Sequence, residues 1–182
     1  LGWDEALLNA ADLAVRAENA GIARIVIHGR TRCQFYKGSA DWAAIAAIKD
    51  AVTIPVIANG DIVDTATARR ALQLSGADGV MIGRGAQGRP WVLAQVATAL
   101  HGGPQVVIPS GNALIAMVCD HYEAMLSFYG GDLGRRVSRK HLGWYMDDAH
   151  TDPALRKAIL THVHPRDVLR DLPDALTQKV AA

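Results

Sequence analysis

Three short apolar runs, separated by helical segments, constrain the fold of this chain more than any other feature. The runs are Arg24–Ile27, Pro55–Ala58 and Gly79–Ile82, and β-branched side chains are frequent in the first two. They are apolar throughout instead of alternating with polar residues, so each strand should be covered on both faces. Strands that alternate with helices across short loops are typical of a parallel sheet. The pattern therefore predicts an α/β fold with three parallel βα units, as in part of a (βα)8 barrel.

The helical segments change character along the chain. The stretch His101–Pro104 marks a boundary, and no convincing strand pattern follows it. We therefore predict two domains, residues 1–104 with the βα units and residues 105–182 with helices alone. Asp64 should cap the third helix, Gly76 should end it, and Pro90 should occupy the first turn of the fourth. The second predicted helix is capped by Ser39 or Asp41 and runs to Val52. The other predicted helices are Asp4–Ala20, Asp64–Ser75, Arg89–Leu100, Asn112–Tyr129, Leu133–Asp147, Pro153–Val163 and Pro165–Leu172.

The composition excludes several classes of protein. Half of the 182 residues are hydrophobic and the formal net charge is +1, which is typical of a globular protein and not of a disordered one. No stretch of the sequence has the roughly 18 uninterrupted apolar residues of a membrane-spanning helix. No secretory signal is visible either, so we expect a cytoplasmic protein with no membrane segment. Cys33 and Cys119 are too few for a disulfide framework, and we expect both thiols to be inert. No histidine or acidic cluster has metal-ligand spacing, so no metal is expected.

Polar residues and glycines follow each predicted strand at its end. His28 follows the first strand, Asn59-Gly60-Asp61 follows the second, and Gly83-Arg84 follows the third. The carboxyl ends of parallel strands form one edge, where glycines and helix N-termini suit a phosphate. We therefore expect an anionic ligand between Gly60 and Gly83-Arg84, while the alternative is that these glycines only make turns. His28 is a hydrogen-bond donor to a ligand ring or a general acid, or else a buried histidine with internal partners.

Basic and aromatic residues alternate in the loop that follows the first strand. Arg30, Arg32 and Lys37 lie close in sequence to Phe35 and Tyr36. Cations that bind phosphates, interleaved with rings that stack on bases, suit a nucleic-acid strand. A solvated loop without a ligand is the alternative.

A basic stripe is predicted on the helix Leu133–Asp147. Four cations fall on one side at helical spacing, and the helix has no acid between Asp132 and Asp147. A one-sided basic helix suits a phosphate backbone, although an exposed charged face without a ligand would show the same pattern. The cations are Arg135, Arg136, Arg139 and Lys140, with Val137, His141, Trp144 and Tyr145 on the opposite side.

Four stretches together resemble one family. They are His28–Trp42, Ile54–Ile62, Gly76–Trp91 and the Arg-Lys-His-Leu-Gly-Trp-Tyr stretch Arg139–Tyr145. In order and spacing they are similar to the tRNA-dihydrouridine synthases, especially the bacterial B type. The resemblance covers most of the chain.

The resemblance implies a flavin enzyme that acts on tRNA. Members of the family use FMN, reduced by NADPH, to reduce the C5–C6 bond of uridine, with a cysteine protonating C5. They join an FMN-binding (βα)8 barrel to a C-terminal helical domain that grips tRNA. By motif, the FMN-binding residues would be Asn59, Gly60, Asp61, Gly83 and Arg84, with His28 facing the flavin ring. The RNA-binding residues would be Arg30, Arg32, Lys37, Arg135, Arg136, Arg139 and Lys140.

The chain departs from the family pattern at the catalytic cysteine. The family places it in an Asn-x-Gly-Cys-Pro motif, which is absent here, and neither Cys33 nor Cys119 occupies that place. The family's flavin-contacting lysine is also absent, and Leu1-Gly-Trp-Asp4 corresponds to a point after the fifth barrel strand. We therefore expect a C-terminal portion with strands six to eight, without a catalytic residue of its own and inactive alone, with open sheet edges that favour self-association. The alternatives are an RNA-binding module without chemistry and another FMN-dependent barrel oxidoreductase, such as a dihydroorotate dehydrogenase-like enzyme.

Overall fold

The computed structural model describes residues 1–177, which fold into two compact units. The first unit contains residues 1–86 and 91–106, and the second contains residues 87–90 and the chain from Val107 onward. The domain assignment 1–104 and 105–182 stays a prediction. The elements are α1 (Ala10–Asn19), β1 (Ile25–His28), α2 (Ala46–Ala51), β2 (Val56–Asn59), α3 (Thr65–Ser75), β3 (Gly79–Met81), α4 (Val92–His101), α5 (Asn112–Tyr129), α6 (Gly131–Asp148), α7 (Pro153–Thr161) and α8 (Pro165–Thr177).

The three strands form one parallel sheet in the order β1-β2-β3, so the predicted α/β class with parallel βα units is confirmed. In the register, His28 of β1 lies beside Asn59 of β2, and Asn59 lies beside Met81 of β3. The residues that follow the three apolar runs therefore meet at one edge of the sheet. Such a row is what the sequence predicts for part of a (βα)8 barrel.

Apolar side chains from the sheet and the helices form the core of the first unit. Ile27, Val56 and Ala58 are buried against Ile45 and Ile48 from the segment around α2. The β-branched side chains suit the pleated sheet, and burying one of them contributes about 1.5–3 kcal/mol. This packing fixes the strand ends relative to one another, which is what the site requires.

Three helices of this unit begin later than predicted. Helix α2 begins at Ala46, after a short 3-10 turn at Ala43–Ile45. Helix α1 begins at Ala10 and not at Asp4, because the Asp4 carboxylate accepts the amide hydrogens of Ala6 and Leu7 and closes a turn there. Helix α4 begins at Val92, with Trp91 as its N-cap, so Pro90 does not occupy the first helical turn. A short 3-10 turn, Arg84–Ala86, follows β3 instead. The predicted cap of α3 by Asp64 and its end at Gly76 are confirmed.

Helices are the regular secondary structure of the second unit, and its described residues contain no strand. Tyr122 of α5, Met146 of α6 and Leu172 of α8 are fully buried in one core. Helices α5 and α6 approach closely at Gly134, where a β-carbon would lie 2.7 Å from the carbonyl oxygen of Met125. Helix α8 continues to Thr177, through Pro173, so the predicted end at Leu172 is wrong. Within residues 1–177, no helix has the length and apolar character needed to cross a membrane.

Candidate functional site

Hydrogen bonds join the three strand ends side by side. The Nδ1 atom of His28 lies 2.6 Å from Oδ1 of Asn59, and Nδ2 of Asn59 donates to the carbonyl oxygen of Met81 at 2.9 Å. Because the Asn59 amide must present Nδ2 to a carbonyl, its Oδ1 faces His28 and needs a donor there. His28 therefore carries its hydrogen on Nδ1, and Nε2 of the neutral ring is an acceptor.

The other nitrogen of His28 has no internal partner. Its Nε2 atom is buried and makes no hydrogen bond with any residue that the structure describes. A buried polar atom without a partner is costly in a protein and is common where a ligand binds. The alternative of a histidine satisfied internally on both nitrogens does not hold for this structure.

The turn after β2 holds Asp61 as a charged acceptor. Gly60 has φ +114°, which only glycine adopts readily, and Asp61 itself has φ +51°. The indole Nε1 of Trp42 donates to the Gly60 carbonyl at 2.8 Å and fixes this turn. Burial opposes ionisation of Asp61, but hydrogen bonds from Arg30 and the Ala40 amide, with the charges of Arg30 and Arg84, outweigh it and lower the pKa of the carboxyl group.

Arg30 lies inside the site and does not face solvent. Its side chain is 2% exposed, and Nη2 donates to Oδ2 of Asp61 at 2.5 Å and to the carbonyl oxygen of Gly38 at 2.7 Å. Its Nε atom donates to the Lys37 carbonyl oxygen at 3.2 Å. This placement does not support the RNA contact expected of Arg30, because the guanidinium group is buried and anchors the loop to Asp61.

Arg84 supplies the accessible positive charge at the strand ends. Its side chain is 61% exposed and lies 3.7 Å from Oδ1 of Asp61. The space beside Gly83 is open, since a β-carbon there would meet no atom within 4 Å. The helix N-termini expected beside this edge contribute less than predicted. Asp64 accepts the amide hydrogen of Thr67 in the first turn of α3, and α4 begins eight residues beyond Arg84.

Two exposed rings border a cavity beside His28. The cavity has a volume of about 370 Å³ and is lined by residues of β1 and the loop that follows it, among them Arg32, Phe35 and Tyr36. The Arg32 guanidinium lies over the Phe35 ring, 4.8 Å from its centre. Arg32 and Lys37 are exposed, as a contact with RNA requires. The Tyr36 ring lies under the Arg84 guanidinium, a contact that no sequence pattern indicates.

The basic stripe of α6 faces solvent for most of its length. Arg136, Arg139 and Lys140 are exposed, and Arg135 is half-buried. The acids at the end of this helix are paired elsewhere, since Asp147 binds Arg156 at 2.7 Å. On the other side of the helix, Tyr145 is buried, His141 and Trp144 are half-buried, and Lys140 lies 5.9 Å from the centre of the Trp144 ring.

The two cysteines differ in their exposure. Cys33 is exposed in the loop after β1. Cys119 is half-buried in α5, where burial and the charges of Glu123 and Asp120 raise the pKa of its thiol. Among residues 1–177, no three His, Cys, Asp or Glu side chains are grouped so that they could hold a metal ion.

Comparison with known proteins gives one consistent family. The model of the dihydrouridine synthase (Dus) family matches residues 1–181. A probable tRNA-dihydrouridine synthase of Rhodobacter capsulatus is 57% identical over the whole chain, which covers 56% of that protein. The tRNA-dihydrouridine synthase B of Xanthomonas axonopodis is 45% identical over 96% of the chain and 54% of its own length, and that of Pseudomonas putida is 44% identical over 80% and 43%. The chain spans about half the length of these relatives, and it belongs to the dihydrouridine synthase family.

Proposed function

We propose that this chain carries the FMN-binding strand ends and an RNA-binding helical face of a flavin-dependent tRNA-dihydrouridine synthase. The enzyme would reduce the C5–C6 bond of uridine in tRNA, with NADPH as the electron donor, in the cytoplasm. The observation that carries the proposal is the row of His28, Asn59, Asp61 and Arg84 at the ends of adjacent parallel strands. The names of the relatives, which are tRNA-dihydrouridine synthases, support the substrate class.

The residues at the strand ends fit FMN by their chemistry. Arg84 offers an exposed cation for the phosphate, and the open space beside Gly83 lets a phosphate approach the backbone. The ionised Asp61 accepts hydrogen bonds from hydroxyl groups such as those of the ribityl chain. The buried and unpartnered Nε2 of His28 would meet a polar edge of the flavin ring. When bound and reduced, FMN supplies the hydride, and the residues of this chain bind and orient it.

The RNA contacts would come from cations that remain exposed. These are Arg32 and Lys37 in the first unit and the stripe of α6 in the second. Guanidinium and ammonium groups bind phosphates without reading the base sequence, so this part of the affinity should fall steeply with salt. We assign no proton-donor role to Cys33 or Cys119, and we expect the chain alone to bind FMN and tRNA without reducing uridine.

Flavin and tRNA titrations of the purified chain test this proposal. Quenching of flavin fluorescence should show FMN binding more tightly than riboflavin, because only FMN carries the phosphate for Arg84. Arg84→Ala should lower the ratio of FMN affinity to riboflavin affinity at least about tenfold, since a hydrogen bond to a charged group contributes about 1.5–3 kcal/mol. Arg24→Ala is the matched control, because Arg24 is an exposed arginine at the opposite end of β1.

Titration with tRNA distinguishes a dihydrouridine synthase from an RNA-binding module without chemistry. Replacing Arg136, Arg139 and Lys140 with alanine should weaken tRNA binding and reduce its salt dependence, while FMN binding stays unchanged. Binding of tRNA without any retention of flavin would favour the RNA-binding module. A chain that binds FMN but no tRNA would favour another flavin-dependent barrel oxidoreductase.

A further inference from the structure

The ring of Tyr36 lies between the two ends of the candidate flavin site. The Arg84 guanidinium lies over this ring at 5.0 Å from its centre, and the His28 ring meets it edge to face at 5.7 Å. Tyr36 itself is 62% exposed, so it has no role in the hydrophobic core. Tyr36 thus contacts both Arg84, which is proposed to bind the flavin phosphate, and His28, which is proposed to face the flavin ring.

The backbone holds Tyr36 in this place at a cost. Phe35 and Tyr36 have φ values of +46° and +67°, a left-handed conformation that aromatic residues rarely adopt. The turn is fixed from both sides, since the Lys37 amide donates to the Gln34 carbonyl and buried Arg30 donates to the carbonyl oxygens of Lys37 and Gly38. Strain that the surroundings maintain is typical of functional sites.

We propose that Tyr36 is a positioning residue that holds the Arg84 guanidinium ready for the FMN phosphate. This inference rests on the proposed function. Asp61, 3.7 Å away, attracts Arg84 and would engage its N–H donors in an ion pair. The face of the Tyr36 ring attracts the cation without using any of those donors, so they stay available to an anion. Tyr36 thus opposes full pairing of Arg84 with Asp61.

The test compares FMN with riboflavin in variants that remove or retain the ring. Tyr36→Asn removes it, and asparagine tolerates the left-handed backbone that position 36 requires. Tyr36→Asn should weaken FMN binding about 2- to 5-fold, the range of an exposed cation–π contact, and leave riboflavin binding unchanged. Tyr36→Phe and Tyr36→Trp retain the ring and should keep the wild-type preference for FMN. Phe35→Asn is the matched control, because the adjacent Phe35 ring contacts Arg32 and not Arg84.

A double-mutant cycle shows whether Tyr36 acts through Arg84. In the Arg84→Ala background, Tyr36→Asn should have no further effect on FMN binding. Equal losses for FMN and riboflavin, an undiminished loss in the Arg84→Ala background, or loss of tRNA binding with unchanged flavin binding would each overturn the inference. If Tyr36→Asn does not fold, weakened FMN binding by a folded Tyr36→Trp variant would overturn it as well. A wild-type chain that binds no flavin would instead refute the proposed function itself.

Discussion

At the scale of single residues, Asn59 determines which ring nitrogen of His28 carries the hydrogen. Its amide is oriented by the Met81 carbonyl, so its oxygen accepts from Nδ1 of His28. A free imidazole places its hydrogen on either nitrogen, whereas this arrangement leaves Nε2 as an acceptor in the neutral ring. A flavin group that binds Nε2 of the neutral His28 ring would therefore have to donate a hydrogen bond to it.

Asn59→Ala should release the His28 tautomer. Without the Asn59 oxygen nothing at this position favours a hydrogen on Nδ1, so a mixture of the two tautomers is expected. The ring nitrogen shifts in long-range ¹H–¹⁵N spectra measure this directly. Asn9→Ala, at the start of α1, is a control in which the shifts of His28 stay as in the wild type. A neutral wild-type ring with its hydrogen on Nε2 would contradict the assignment.

The meeting of the strand-end residues could be predicted from sequence, but the burial of Arg30 could not. His28, Asn59 and Arg84 follow apolar runs, and parallel strands bring the ends of such runs together whatever else the fold does. The burial of Arg30 depends on Asp61, 31 residues away, and on two carbonyl groups of its own loop. The sequence around a buried arginine that anchors a loop and that around an exposed arginine both suggest a phosphate contact. No local pattern therefore distinguishes the two.

At the scale of elements, the apolar runs predicted every strand to within about a residue, while helix ends were less predictable. The runs place β1, β2 and β3 because burial on both faces leaves little alternative. Helix ends depend on competition between local hydrogen bonds. The Asp4 carboxylate holds a turn where composition favours helix, and Pro173 lies inside α8 where proline usually ends a helix. Tertiary packing explains α8, since Leu172, Ala175 and Leu176 on both sides of Pro173 are buried.

Pro173→Ala should stabilise α8. Proline at this position has no amide hydrogen for the Leu169 carbonyl, four residues earlier, and alanine restores that bond. The expected gain in the free energy of unfolding is about 1–3 kcal/mol, measured by urea denaturation. Pro153→Ala is the matched control, because Pro153 begins α7, where the missing hydrogen costs nothing, and should change stability little. A loss of stability in Pro173→Ala would show that packing of the ring outweighs the hydrogen bond.

At the scale of the whole molecule, the two units have separate cores, and that of the second unit carries a pair of histidines. The core of the second unit lies beside two histidines, His121 of α5 and His141 of α6, whose ring centres are 5.3 Å apart. His121 lies 3.1 Å from the Tyr145 hydroxyl through Nδ1. Burial lowers the pKa of both imidazoles, and for His141 the neighbouring charges of His121 and Lys140 lower it further. Both rings are therefore favoured as neutral groups in the folded unit.

Acid should destabilise the second unit through these two histidines. The unfolded chain takes up protons near the ordinary pKa of about 6.5, while the folded unit resists protonation until a lower pH. Stability is thus fully present above about pH 6.5 and declines as pH falls toward the lowered folded-state values. Thermal unfolding followed by circular dichroism from pH 7.5 to 5.5 should show a smaller decrease in His121→Gln than in the wild type, because glutamine keeps a polar group near Tyr145 without titrating. His101→Gln, an exposed position of the first unit, should retain the wild-type pH dependence, and an equal decrease in all three proteins would exclude the His121–His141 pair as the cause.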